Sequence, residues 1–136
     1  MAFKIHSVLA ESPAWLYLPT NAATYTVGLA MVDVSGYLTT VSSGSGQDTA
    51  LAHYICMADA TVATDGDTIP VIKAANDSVI WETTLYDDDA DMLVGEVHTL
   101  HTDGAQITAT TTSGCFEIVE YVARTAGSVI RGIFIK

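Results

Sequence analysis

The chain has 136 residues, sixteen of them acidic and five basic, for a formal net charge of −11. Most of its surface therefore repels a phosphate backbone or an anionic lipid face, which excludes direct nucleic-acid binding and adsorption to acidic membranes as its role. At 49% hydrophobic and 15% charged it is too apolar for a disordered segment and long enough for one core, with apolar surface to spare for contacts between copies of itself.

Residues 1–23 read as an extended N-terminal arm. Pro13 and Pro19 break helices and disfavour helical geometry just before them, and the apolar residues Phe3, Ile5, Trp15, Leu16 and Tyr17 follow no repeating period. The alternative is that this stretch is the first edge strand of the domain. His6, Ser7, Glu11 and Ser12 interrupt any apolar core of an export signal, and no run approaches the roughly 18–20 residues that span a bilayer. A soluble protein made in a reducing compartment is expected, with Cys56 and Cys115 as free buried thiols.

Residues 24–136 read as a single β domain. TYTVGLAMVDV, the turn Ser35-Gly36 and Tyr37 to Val41 predict a hairpin. The next segment, SSGSGQD, predicts a mobile loop; its Gly44-Ser45-Gly46 lacks the outer glycines of a nucleophile elbow. ALAHYICMA shows no clear alternation and reads as a strand, with one short helix as the alternative. After the turn at Thr64-Asp65-Gly66-Asp67, the proline in IPVI predicts an edge strand, and Val79 to Leu85 a further strand with Trp81 in the core.

The acidic cluster Asp87, Asp88, Asp89 and Asp91 starts like a calcium-binding EF-hand loop but has Met92 and His98 where that loop needs glycine and glutamate, so a solvated acidic loop is expected. His98 and His101, three apart, point to opposite faces of a strand and predict no shared zinc ion. Beyond them, Ile107 to Thr112, Cys115 to Val122 and Ser128 to Ile135 read as strands separated by glycine turns. No pair of titratable residues stands in a motif with catalytic roles, so no catalytic residues, no metal and no cofactor are expected.

The order of GLAMVDVSGYLTTV, ATDGDTIPVIKAANDSVIWETTL, VGEVHTLHTDGAQITATTTSGCFEIVEYV and GSVIRGIFIK resembles the head decoration, or cement, proteins of tailed bacteriophages. The resemblance implies an all-β fold, a small β-barrel or β-tulip-like domain of antiparallel strands that forms homotrimers on the outer surface of the virion capsid. It implies the major capsid protein as partner, neither nucleic acid nor membrane, manufacture in the host cytoplasm, and no catalysis. Mapped by position, the arm would supply the capsid contacts through Phe3, Ile5, Trp15, Leu16 and Tyr17, and its removal would leave a folded domain. The rival reading from another class is a carbohydrate-binding β domain that stacks sugar rings on Trp15, Trp81, Tyr37 or Tyr54.

Overall fold

The computed structural model describes residues 2–9, 13–41, 51–76 and 78–135. All regular structure among them is extended. In chain order the strands are β1 (Lys4–Val8), β2 (Leu16–Pro19), β3 (Ala23–Tyr25), β4 (Ala30–Val34), β5 (Tyr37–Thr40) and β6 (Tyr54–Cys56). They continue as β7 (Ala60–Val62), β8 (Thr68–Lys73), β9 (Val79–Thr84), β10 (Val97–His98), β11 (Phe116–Tyr121) and β12 (Val129–Phe134). One five-stranded sheet runs β1-β9-β12-β11-β10, a second runs β2-β8-β6-β4-β5, and β3 pairs with β7 in a two-stranded ribbon. Every ladder is antiparallel.

The two large sheets share one core. Trp81, Phe116, Ile118, Ile130 and Phe134 of the first sheet lie in the same buried cluster as Ala30, Val32, Ile55 and Ile72 of the second. Period-2 alternation sends their neighbours Met31, Cys56 and Val71 to the opposite face, where Tyr25 of β3, Val62 of β7, Leu38 and Ile69 complete a smaller cluster. A sheet covered on both faces needs apolar residues at successive positions, which is why the strand within ALAHYICMA shows no alternation. The hairpin turn has φ of 55° at Ser35 and 92° at Gly36, the pair of positive values that a two-residue type I′ connection requires.

Four expectations are corrected. The all-β class holds, but no barrel closes among the described residues: the two sheets are open, and the edges of the second approach each other at the bridge Thr20↔Leu38. Residues 1–23 do not stand off as an arm, because β1 pairs with β9 at the edge of one sheet and β2 with β8 at the edge of the other. Phe3, only 3% exposed, packs its ring 5.0 Å from that of Phe134 and 5.6 Å from that of Phe116. IPVI is not at an edge, since β8 lies between β2 and β6. Proline is tolerated there because Pro70 faces the end of β6: its carbonyl accepts from Met57 at 3.0 Å, one residue past that strand, where the missing N–H falls beyond the ladder.

The fourth correction concerns Ile107 to Thr112, of which only Ile107 makes isolated bridges, to Leu85 and Leu100. The backbone there bonds irregularly, Thr99 donating to the Thr110 carbonyl at 2.9 Å and accepting from the Thr108 amide at 3.0 Å, and threonine hydroxyls add to it: Thr108 Oγ1 lies 2.6 Å from Thr99 Oγ1 and accepts from the Thr110 amide at 3.2 Å. The loop SSGSGQD lies outside the described residues, as do Thr49 and Ala50 of the strand read before AHYICMA.

Candidate functional site

The five apolar residues read as anchors separate into two groups. Phe3 is a core residue, and Ile5, half-buried opposite Trp81, packs against the same cluster. Neither is free to reach a partner. Trp15, Leu16 and Tyr17 are exposed by 53, 38 and 65%, the last two on β2 and Trp15 just before it. β2 holds because Leu18, on the same side as Leu16, packs against the smaller cluster, while the register pairs Leu16↔Val71 and Leu18↔Ile69 fix its alignment on β8. Its other side carries no ladder among the described residues.

The outer face of the first sheet is charged. Lys4 pairs in register with Glu82, Glu82 with Arg131 and Arg131 with Glu120, one residue on each of β1, β9, β12 and β11. Lys4 Nζ lies 2.7 Å and Arg131 Nε 2.9 Å from the Glu82 carboxylate, and Arg131 also pairs with Glu120. The hydrogen bond from Lys4, followed by that from Arg131, holds the Glu82 carboxyl below the usual carboxylate range.

The aspartates that open like a calcium loop do not converge on a common centre. Asp87 Oδ1 accepts from the amide of Ala109 at 2.8 Å, Asp88 Oδ1 from Ala126 at 2.8 Å, and Asp89 Oδ1 from Asp91 at 3.3 Å. Two of the three thus tie the β9–β10 connection to distant loops.

His98 is fully buried. Its Nδ1 lies 2.8 Å from the carbonyl oxygen of Thr108, and because a carbonyl only accepts, Nδ1 carries the proton. Its Nε2 has no hydrogen-bond partner, and stands 3.5 Å from Glu96 Oε1 and 4.0 Å from Asp89 Oδ2. One ligand atom from each of these three residues falls within a 4.8 Å cluster. His101 is elsewhere: its ring stacks on Tyr86 at 3.6 Å and its Nδ1 accepts from the Asp103 amide at 3.2 Å. The two histidines do not meet: β10 ends at His98, and His101 lies beyond it. The trio was missed in the sequence, although Glu96 and His98, two apart on an extended segment, had to share a face.

Cys56 and Cys115 are both buried and neither is in a disulfide, and burial pushes the Cys56 thiol up. An open groove is lined by Asp33, Leu51, His53, Tyr54, Lys73 and Ala75. Of the aromatics proposed for sugar stacking, Trp81 is fully buried and donates its indole N–H to the Ala74 carbonyl at 3.3 Å, so no ring can be laid on it. No family model and no curated protein matches this sequence.

Proposed function

We propose that the protein is a non-catalytic structural module that binds the outer surface of a phage capsid, bridges neighbouring major capsid subunits and assembles there as a homotrimer. The observation that carries this reading is the exposed aromatic ridge of Trp15 and Tyr17 at the edge strand β2, with Leu16 exposed on the opposite face from Tyr17. Aromatic side chains on a strand whose outer edge carries no ladder among the described residues suit docking by strand addition, in which backbone bonds give affinity and the flanking rings give specificity. Weak contacts of this kind, repeated over a lattice, sum to firm attachment. The acidic surface keeps the outward side soluble and repels stray DNA. The resemblance of its motif order to that of decoration proteins adds support of a separate kind.

Sedimentation of the purified chain with undecorated capsids of its phage tests the reading. Co-sedimentation at a fixed ratio to the major capsid protein, with three-fold density on the particles, is the expected result. A chain that stays in the supernatant at high micromolar concentration overturns it.

A further inference from the structure

We propose that Asp89, Glu96 and His98 form a binding site for one divalent cation of the zinc class, independent of any capsid contact. Three features of the structure converge on this assignment. A fully buried imidazole directs an unpartnered Nε2 at two carboxylates. Its other nitrogen is fixed by the Thr108 carbonyl, the outer-sphere arrangement that sets the tautomer and ring orientation of a metal-binding histidine. The carboxylates are themselves held, Glu96 Oε1 by the Leu93 amide at 2.6 Å and Asp89 Oδ1 by the Asp91 amide. Each of these oxygens is an acceptor with lone pairs left over.

The spacing suits the ion. A tetrahedral centre with nitrogen and oxygen ligands at about 2.0–2.2 Å sets neighbouring ligand atoms about 3.3–3.6 Å apart. Glu96 and His98 already stand at that separation, whereas Asp89 Oδ2, 4.0 Å from His98 Nε2 and in a set of ligand atoms that lie within 4.8 Å of one another, would have to move inward on binding. The imidazole selects zinc or a similar borderline ion over magnesium and calcium, which take oxygen ligands. Glu96, with a third of its side chain exposed, opens one side of the centre to solvent, so water completes the coordination. The ion would join the start and the end of the β9–β10 connection to β10.

The test uses the full-length, tag-free protein stripped with a chelator and titrated with zinc chloride by calorimetry. One equivalent bound per chain and a raised melting temperature are expected, with no binding of magnesium or calcium at the same concentrations. Asp89→Asn and Glu96→Gln, each checked for retained β structure by circular dichroism, should each weaken zinc binding at least about tenfold, the lower bound for losing even an outer-sphere partner. The triple variant His6→Gln, His53→Gln, His101→Gln should keep wild-type affinity, and its zinc X-ray absorption spectrum should contain imidazole nitrogen, which only His98 then supplies. Absence of stoichiometric zinc in the wild type, unchanged affinity in either carboxylate variant, or loss of binding or of the imidazole signature in the triple variant overturns the assignment. The wild-type titration keeps the proposal open to refutation if a carboxylate variant fails to fold.

Discussion

Arg131 on β12 donates through Nε to Oε1 of Glu82 on β9 at 2.9 Å, and the two are register partners in the middle of the first sheet. Like charges at adjacent sheet positions repel and opposite ones attract. The alternation Lys4, Glu82, Arg131, Glu120 therefore favours the observed order of four strands, two of which come from opposite ends of the chain.

This ladder predicts an acid limb of stability assigned to one carboxyl. Glu82 has a folded-state pKa below its unfolded value, so its contribution is fully present above the unfolded carboxylate range, near about pH 4.3, and is lost as pH falls through the folded value. Melting temperature measured between pH 7 and pH 2 should fall below pH 4 in the wild type. Glu82→Gln should melt earlier at pH 7 and show a shallower decline below pH 4, and an unchanged acid slope would assign that limb to other carboxyls.

Phe3 predicts the fate of a truncated chain. Its ring fills space between Phe116 and Phe134, so Phe3→Ala should cost about 3–5 kcal/mol. Removing residues 1–20 deletes that ring and strips β1 and β2 from both sheets, and the remainder should lose its cooperative thermal transition. A truncated protein that melts cooperatively near the wild-type temperature would show that the two edge strands are dispensable.

Gly132 lies at a close approach rather than a turn. A Cβ there would sit 2.1 Å from the Glu117 carbonyl oxygen and 2.6 Å from the Phe116 ring. The backbone oxygen has little room to give, so Gly132→Ala should cost toward the upper end of the ~1–3 kcal/mol typical of overpacking. Urea unfolding measures it, and a change under 0.5 kcal/mol, the size of a surface substitution, would mean that β11 and β12 part easily.

The hairpin at Ser35-Gly36 and the burial of Trp81 could be read from the sequence because both depend on near neighbours: a two-residue turn, and the apolar run Val79 to Trp81. The N-terminal segment could not. Pro13 and Pro19 exclude a helix equally well from a free arm and from an edge strand, and what decides between them is the pocket that Phe116 and Phe134 offer Phe3 from the far end of the chain. The same holds for the Asp89, Glu96 and His98 trio. Glu96 and His98 share a face by local geometry, but Asp89 joins them only because its amide is held by the Arg124 carbonyl at 2.9 Å and Leu93 is turned back onto Glu96.

The two tryptophans separate folding from docking. Trp81 is fully buried at the centre of the shared core, and its indole satisfies the Ala74 carbonyl, so Trp81→Ala should cost about 3–5 kcal/mol, through the cavity and the orphaned acceptor together. Trp15 is half exposed beside β2 and belongs to neither buried cluster, so Trp15→Ala should shift stability by about 0.5 kcal/mol or less. If the ridge is the docking surface, the same substitution should weaken capsid co-sedimentation about tenfold or more, because aromatic anchors carry a large share of interface energy. Tyr17→Ala should act in the same direction, its side chain being the most exposed of the three. Thermal melting and capsid sedimentation of Trp15→Ala and Trp81→Ala, run side by side, decide the matter. Early melting of Trp15→Ala would move that residue into the core, whereas wild-type capsid binding by both Trp15→Ala and Tyr17→Ala would move the docking surface away from β2.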